Sequence, residues 1–481
     1  MPNLKKFLLF SLGAVFMLSS LHAQESYCGT QMTDEQMAWL RAFQADYANN
    51  PGSERGGTLK YVPVKVHIVG SDDGTGYYTL SNLYASLCQL NERYAETGFY
   101  FYVAGDIEYI NNSAYNEHDW TDGSNMMEEY NVNGYLNLYM VKDPAGNCGY
   151  FSGWDDAVAV ANACAMPNGT TIAHEFGHYF SLPHTFYGWE GGTPSPSDQE
   201  WVNGANCNAA ADGFCDTPPD YLNYRWSCPG PLQTDIHGDT FYSDPTLYMS
   251  YALDACTGRF SNEQMDAMNA NINGPRDYLL DHPVPADLEL SGTPDLVVPE
   301  NGTFGMYPNY VYFEWTPVEN ATKYHLQISY SSGFTAIAHD VVTTNNFYEE
   351  HDLKIDKTYY WRVKPLTELN TCADYSLAYT FTTGTEFSNV LQSDLFASIA
   401  INPNPLQAGY PLQLHITATV ANDADCVIYD ITGKQITAFT EVIQAGENDF
   451  NVELPVLSSG VYFLAVRSGE KSEVQQFIIS E

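Results

Sequence analysis

The chain has 481 residues, 59 of them acidic and 19 basic, so its formal net charge at pH 7 is −40. A surface of this sign repels nucleic acids and anionic membranes, which excludes both as expected partners. The length predicts about three domains rather than one. The acidic excess is typical of a soluble extracellular surface, and divalent-cation binding at carboxylate clusters is the alternative interpretation.

Residues 1–23 have the pattern of a secretory signal peptide. Lys5 and Lys6 precede an apolar run that continues to Ser19, and Leu-His-Ala at 21–23 is a suitable cleavage site. No later stretch has the apolar length needed to span a bilayer, so we predict an exported chain without a transmembrane segment. In that setting the ten cysteines can form disulfides.

Residues 24–58 are predicted to be a pro-segment or N-terminal arm. Thr33 and Gln36 have the spacing of a capping box, and an amphipathic helical pattern follows them. A Gly-rich loop at 50–57 ends this helix. Cys28 lies ahead of it, near the expected N-terminus of the mature chain.

Residues 59–285 carry the patterns of an α+β domain. Strands are predicted at Val62–Val69, Phe99–Val103, Tyr135–Val141 and Ala157–Ala161, and an amphipathic helix at Leu80–Tyr94. This order predicts a mixed sheet backed by two helices, with a loop-rich lower half after the second helix. A capping box at Ser261–Gln264 predicts a closing helix.

The second helix lies in the stretch Thr170–Phe186, TTIAHEFGHYFSLPHTF. His174 and His178 are four residues apart, so they share one helix face, and Glu175 follows the first of them. This is H-E-x-x-H, in which two imidazoles hold a zinc and the Glu polarises its water. His184 adds a third imidazole and leaves the fourth position open, as in a catalytic zinc site. The alternative is a buried helix with chance histidines.

Two downstream stretches also carry candidate site residues. Met249 lies in TLYMSY with Tyr251 after it, and three histidines followed by such a Met are the metzincin signature. Asp212, Asp216 and Thr217 lie together in ADGFCDTP, and oxygen ligands in a tight loop suit calcium. An Asx-turn without an ion is the alternative for these three residues.

The cysteines of the first 285 residues predict several disulfides. Cys148 and Cys164 flank one strand region and could pair. Cys88 falls on the apolar side of its helix, so we expect it to be buried and free. Cys28 is expected either to form a disulfide or to place a thiolate in the open position of the zinc and keep the enzyme latent. Four further cysteines allow three connectivities: Cys207, Cys215, Cys228 and Cys256.

The long motif HEFGHYFSLPHTF, with DTP at 216–218 and MSY at 249–251, resembles the pappalysin-like (cytophagalysin) metzincins. Ser181 stands where that family's pattern has Gly. A Ser in a left-handed conformation carries a steric cost, so we expect the turn rather than the ligand set to be affected. The resemblance also extends to a Cys-Gly-Thr in the arm and to calcium near the DTP stretch.

This resemblance implies a secreted zinc-dependent endopeptidase with one catalytic zinc. Glu175 would take a proton from the zinc-bound water and later deliver it to the leaving amine. Tyr251 would stabilise the oxyanion of the intermediate, and Met249 would form an apolar floor below the ligands. The alternative is a non-catalytic surface adhesin built on a degenerate metzincin scaffold, and an intact Glu175 counts against it. The implied zinc ligands are His174, His178 and His184.

Two all-β sandwich domains are predicted to follow. Residues 290–385 alternate in runs such as Tyr324–Tyr330 and resemble a fibronectin type III module, for which we expect a spacer or substrate-docking role. Residues 393–481 hold INPNP at 401–405 and LSSGVYF at 457–463, and resemble the C-terminal sorting domain of type IX secretion in the Bacteroidetes. This implies export through the periplasm and across the outer membrane, to the exterior or the cell surface. The expected partners are the type IX machinery and protein or peptide substrates.

Overall fold

The computed structural model describes residues 26–30, 32–49, 59–190, 192–386, 396–418, 421–431, 434–468 and 471–480. The predicted signal peptide and the Gly-rich loop at 50–57 lie outside these residues. Among the described residues, no helix combines the length and apolar character that crossing a membrane requires.

The helices are α1 (Asp34–Tyr47), α2 (Leu80–Arg93), α3 (Ser113–Asn116), α4 (Trp120–Tyr130), α5 (Thr171–Tyr179) and α6 (Asn262–Ile272). The first strands are β1 (Ser26–Cys28), β2 (Lys60–Gly70), β3 (Phe99–Val103), β4 (Glu108–Asn111), β5 (Glu117–His118), β6 (Leu136–Val141), β7 (Asp143–Pro144), β8 (Asn147–Ser152), β9 (Ala157–Ala161), β10 (Gln233–Thr234) and β11 (Thr240–Phe241).

A seven-stranded sheet has the order β1-β8-β9-β6-β2-β3, with β4 also paired to β2. The four strands that alternation predicts are present as β2, β3, β6 and β9, and all their pairings with one another are parallel. The sequence pattern misses β8, because NCGYFS contains residues typical of turns. That strand runs antiparallel to β9, and β1 of the arm pairs with its other edge in parallel.

Two helices pack against the sheet and share its core. The apolar face of α2 includes Leu83 and Leu87, which lie in one buried cluster with Phe101 of β3 and Phe176 of α5. Every residue of α5 is buried, so this helix is held on all sides. Both capping boxes are confirmed, at Thr33 before α1 and at the start of α6.

Disulfides fasten the loop-rich lower half and its border with the sheet. Cys148 and Cys164, which the sequence allowed to pair, form a disulfide. Among the three connectivities open to the other four cysteines, the structure has Cys207–Cys215 and Cys228–Cys256. Cys28 and Cys426 are the cysteines of the described residues that form no disulfide, and both are buried.

The prediction that Cys88 is free is wrong, because it forms a disulfide with Cys372 in the following β segment. Periodicity placed Cys88 on the apolar face of α2, but that face is covered by a segment far away in sequence. The backbone N–H of Ser81, in the first turn of α2, donates to the Asp340 carboxylate at 2.9 Å. This carboxylate satisfies one of the backbone N–H groups that every helix start leaves without an intrahelical partner.

The β segment at 290–385 forms two sheets around one core. Its strands are β12 (Leu296–Val298), β13 (Thr303–Met306), β14 (Val311–Trp315), β15 (Lys323–Ser329), β16 (Ile337–Thr343), β17 (Phe347–Glu350), β18 (Thr358–Leu366) and β19 (Tyr379–Thr383). The sheets have the orders β12-β14-β17 and β13-β19-β18-β15-β16. Trp315 comes from the first of these sheets and Trp361 from the second. Both lie in one buried cluster between the sheets, as in a β-sandwich.

The C-terminal segment has the same plan. Its strands are β20 (Phe396–Asn402), β21 (Leu406–Gln407), β22 (Leu412–Ala418), β23 (Asn422–Asp430), β24 (Gln435–Ile443), β25 (Gly446–Val452), β26 (Gly460–Ser468) and β27 (Lys471–Ser480). They form sheets of order β20-β22-β25 and β21-β27-β26-β23-β24, with a second buried cluster between them. The molecule is therefore mixed α and β in its first part and all-β in the rest.

Candidate active site

Three buried histidines converge where α5 meets the lower half. His174 and His178 lie on one face of α5, and His184 reaches the same point from the chain beyond the helix. The Nε2 atom of His178 is 3.2 Å from Nε2 of His174 and 3.1 Å from Nε2 of His184. The structure thus brings together all three predicted ligands.

The opposite nitrogen of each ring is already engaged by an acceptor. Nδ1 of His174 is 2.6 Å from the Tyr248 carbonyl oxygen, and Nδ1 of His178 is 2.7 Å from the Leu182 carbonyl oxygen. Since a carbonyl can only accept, each Nδ1 carries the proton, and the Nε2 lone pairs of these two rings face inward. Burial lowers the pKa of both rings well below its usual value, which favours the neutral form that binds metals.

The carboxylate of Glu190 orients the imidazole ring of His184. Nδ1 of His184 lies 3.0 Å from a carboxylate oxygen of Glu190, six residues further along the chain. Metal-binding imidazoles regularly donate their second N–H to such a carboxylate. The sequence did not identify Glu190 as a partner of His184. Its position six residues after that histidine is the one feature that could have suggested this role.

The donor set fits a tetrahedral zinc. Lone pairs that face one another at about 3 Å repel unless a cation lies between them. Three nitrogens at ~2.0–2.1 Å from one ion, with tetrahedral angles, stand roughly 3.3 Å apart, close to the observed spacing. The three rings and the Cys28 sulfur place one ligand atom each within 4.8 Å of one another.

Glu175 lies fully buried beside this cluster. Its Oε2 accepts hydrogen bonds from the Thr30 hydroxyl at 3.0 Å and the Cys28 thiol at 3.4 Å. Its Oε1 has no hydrogen-bond partner among the described residues. Burial raises the pKa of Glu175 to about 8, so the carboxyl can both take up and release a proton near neutral pH.

Ser181 has a left-handed backbone conformation, with φ of 68°, which glycine adopts more easily than serine. Its amide donates to the His178 carbonyl at 2.9 Å, and Leu182 donates to Gly177 at 3.0 Å. The Ser181 hydroxyl accepts a hydrogen bond from the Asn271 amide at 2.8 Å. Serine thus occupies the left-handed position of the turn that leads from His178 to His184, and hydrogen bonds hold it there.

Met249 packs directly beneath the ligand helix. It is fully buried, and a Cβ added to Gly177 would come within 2.4 Å of its sulfur. The glycine in HEFGH therefore lets Met249 approach the backbone of α5. Its carbonyl accepts the Thr185 amide at 3.1 Å, which fixes the chain next to His184.

The arm passes through the site as strand β1. Ser26 and Cys28 pair with Asn147 and Gly149 of β8, and the Gly29 amide continues the ladder to the Gly149 carbonyl at 2.9 Å. The Tyr251 hydroxyl donates to the Cys28 carbonyl at 3.1 Å. Cys28 forms no disulfide, and its sulfur lies within 4.8 Å of a ring nitrogen of each of the three histidines.

The residues expected to bind calcium have other partners. Asp216 accepts hydrogen bonds from the Ser261 hydroxyl and the Glu263 amide, so it caps α6. Asp212 accepts from the Phe214 amide at 3.0 Å and from the Thr217 hydroxyl, as an Asx-turn does. Burial raises the pKa of Asp212 to about 8, which favours its uncharged form. The arrangement gives no support to a calcium site.

Residues 151–273 match the family described as pregnancy-associated plasma protein-A, and residues 400–480 match the secretion system C-terminal sorting domain. An extracellular metalloprotease of Colletotrichum graminicola is 27% identical over 244 residues, which cover 44% of this chain and 76% of that protein. Extracellular metalloprotease 1 of Coccidioides posadasii is 27% identical over 235 residues, 42% of this chain and 74% of that protein.

Among solved structures, the chicken CNTN1 FN1-FN3 domains are 13% identical, with 40% of this chain and 66% of that chain covered. The TM-score of 0.15 is too low to bear on how the β segments are arranged.

Proposed function

Because this chain carries a metallopeptidase domain of the pappalysin family and a secretion sorting domain, we propose that it is an exported zinc-dependent endopeptidase. The observation that carries the proposal is the convergence of three inward-facing Nε2 atoms beside the buried carboxyl of Glu175. The C-terminal match marks the chain for type IX export, and its substrates are then proteins or peptides outside the cell.

The proposed chemistry divides between a metal and the chain's own side chains. Zinc, when bound by His174, His178 and His184, supplies a Lewis acid for the scissile carbonyl. Glu175 takes a proton from the attacking water and later releases it to the leaving amine, because its Oε1 is free and its pKa lies near neutrality.

Tyr251 is proposed to stabilise the developing oxyanion. Its hydroxyl already donates to a backbone carbonyl, that of Cys28, in the strand that passes the histidine cluster. A substrate strand in the same place would offer its own carbonyl to this donor. Burial raises the pKa of the Tyr251 phenol, so the hydroxyl keeps its proton and remains a donor.

We also propose that the arm holds the enzyme latent. The Cys28 sulfur lies with the three imidazole nitrogens within 4.8 Å, where it would fill the fourth ligand position. Thr30 and Cys28 together bind the Oε2 atom of Glu175, so the arm engages the general base as well. Removal of the arm frees both the open position and the carboxylate.

Zinc content and turnover test this function together. The parent should bind one zinc, His174→Ala should lose it, and His237→Ala, an exposed histidine of the lower half, should keep it. Glu175→Gln should keep zinc but lose turnover by at least about 10²-fold, since only the base is removed. Equal zinc in the parent and His174→Ala, or substantial turnover in Glu175→Gln, would contradict the proposal.

A further inference from the structure

A crevice of about 380 Å³ opens where helix α2 meets the first β segment. It adjoins strands β3 and β4 and the connection between them, at the edge of the large sheet opposite the arm strand β1. Residues from both sides of the contact line it, among them Tyr84 and Val103 on one side and Val342 and Leu366 on the other. The crevice is therefore separate from the candidate active site, which lies at the β1 edge.

Strand β16 borders this crevice with an edge that carries no partner strand. It is the last strand of its sheet: β15 pairs with one side of it, and no strand of the described residues pairs with the other. All five successive residues from Asp340 to Thr344 line the crevice. Since neighbouring side chains of a strand point to opposite faces, such a run shows that the crevice follows the strand edge. An extended peptide can pair with an edge of this kind.

The walls of the crevice are apolar. Leu80 of α2 and Leu366 of β18 are 7% and 2% exposed and belong to one buried cluster. Ile107 and Val342 pack against the same cluster and also line the crevice. Tyr109 adds an aromatic ring that is 47% exposed. Walls of this kind suit an aliphatic chain, and the ring offers a face to a cation.

The charged side chains of the crevice are mainly acidic. Three carboxyl groups, those of Asp106, Asp340 and Glu368, line it together with one ammonium group, that of Lys323. Asp340 accepts a hydrogen bond from the Ser81 amide, whereas Asp106 and Glu368 are exposed. The Lys323 ammonium lies 3.9 Å from the Asp106 carboxylate, at the limit of an ion pair. The rim therefore attracts cations and repels anions.

We propose that this crevice binds an extended, basic segment of a partner polypeptide, which adds a strand to β16 and inserts a lysine or arginine side chain. The aliphatic stem of that side chain packs on the apolar walls, and its cation reaches Asp106 and Glu368 at the rim. Backbone hydrogen bonds to the edge of β16 supply the rest of the affinity. This binding goes beyond the proposed peptidase function and uses none of its residues.

Peptide binding to the full, uncut chain tests the proposal. The chain carries Glu175→Gln, so that the probe stays intact, and the arm covers the candidate active site. The probe is a short fluorescent peptide in which valine and lysine alternate, so that its lysines share one face of a strand. We expect saturable binding by fluorescence anisotropy, and binding at least about tenfold weaker when glutamine replaces every lysine.

Two double variants locate the binding. Asp106→Asn with Glu368→Gln should weaken binding of the valine–lysine peptide by about tenfold, because two exposed ion pairs are lost. Glu117→Gln with Glu128→Gln changes the net charge equally at exposed positions in and near helix α4, so its affinity should stay at the parent value. A probe methylated on alternate backbone nitrogens keeps its charge but cannot pair with a strand edge, so its binding should also fall by about tenfold.

The outcomes decide each part of the proposal. Equal affinity in the two double variants would show that the acidic surface as a whole attracts the peptide, and would overturn the crevice as the site. Unchanged binding of the methylated probe would overturn strand pairing with β16. No saturable binding, or equal binding of the glutamine probe, would overturn the proposal outright. None of these results bears on zinc binding or turnover, so the proposed peptidase function is tested separately.

Discussion

Ser181 shows how one residue can keep a turn that glycine would make more easily. A non-glycine residue at φ of 68° costs about 1–2 kcal/mol. The buried hydrogen bond from Asn271 to the Ser181 hydroxyl offsets part of that cost, since such bonds contribute about 0.5–1.5 kcal/mol. The two terms are of similar size, so the serine is tolerated between His178 and His184.

This balance predicts different results for two substitutions. Ser181→Ala keeps the strain and loses the hydrogen bond, so we expect the free energy of unfolding to fall by about 1–2 kcal/mol. Ser181→Gly removes the strain and the bond together, so we expect a change within about 1 kcal/mol. Denaturant unfolding measures both. A larger loss for Ser181→Gly than for Ser181→Ala would contradict this account.

Glu190 is expected to matter for zinc affinity although it does not touch the metal position. Its carboxylate accepts from Nδ1 of His184 at 3.0 Å and so orients that ring. Glu190→Gln should weaken zinc binding by about 10–100-fold, as measured by competition with a chelator. Glu117→Gln, which removes an exposed carboxylate paired with Lys142, is the matched control. Equal affinity in both variants would show that the His184 ring needs no such support.

The sequence predicts the residues of the site to different degrees. His174 and His178 follow from helical spacing, because residues four apart share a face, and Glu175 follows from the H-E-x-x-H motif. Glu190 does not, since a loop brings it back to His184 and no periodicity describes a loop. The calcium prediction has no support in the structure for a related reason: carboxylates that lie close together in a sequence can accept hydrogen bonds from a turn and a helix cap, as those of Asp212 and Asp216 do.

At the scale of elements, strand β8 and the arm strand β1 decide access to the site. One edge of β8 presents a row of backbone donors and acceptors with which another strand can pair. Strand β1 of the arm pairs with that edge. Helix α1 of the arm is attached to the lower half, because the Gln44 side chain donates to the Asp212 carbonyl at 2.9 Å. Alternation did not reveal β8, so sequence alone could place Cys28 near the metal only through the family resemblance.

The thiol and the bulk of the arm make separable contributions to latency. In the uncut chain, Cys28→Ala removes the proposed fourth ligand but keeps the β1–β8 ladder. We expect its turnover of a peptide to exceed that of the uncut parent by at least about tenfold, because water regains the position. Cys426→Ala, which removes the other buried cysteine outside the disulfides, is the control. If the uncut parent and Cys28→Ala are equally inactive, the arm blocks the cleft by bulk alone.

At the scale of the whole molecule, the first β segment packs directly against helix α2 of the first domain. Leu366 of β18 belongs to the same buried cluster as the apolar face of α2. The ring centroids of Tyr84 and His325 are 5.5 Å apart across the contact, and Asp340 caps the start of α2. Sequence periodicity predicts the strands of this segment, but not a contact or disulfide between positions 284 residues apart.

Removing that cross-link should therefore destabilise both parts together. We expect Cys88→Ser with Cys372→Ser to lower the free energy of unfolding by about 2–5 kcal/mol, with one transition for the sheet and the β segment. Cys207→Ser with Cys215→Ser, which opens a disulfide of sequence separation 8, should cost less, because a short loop loses less entropy on closure. A separate transition of the β segment, unmoved by the first double variant, would show that it is an independent spacer.

The central claim is that three histidines hold a catalytic zinc whose fourth position the arm controls. Zinc-edge X-ray absorption of the exported chain, before and after the arm is cut, measures the ligands directly. We predict three nitrogen ligands at ~2.0–2.1 Å and one sulfur at ~2.3 Å in the uncut chain, with the sulfur lost and the nitrogens kept after cutting. Fewer than three nitrogen ligands, or no zinc in the exported chain, would contradict the account.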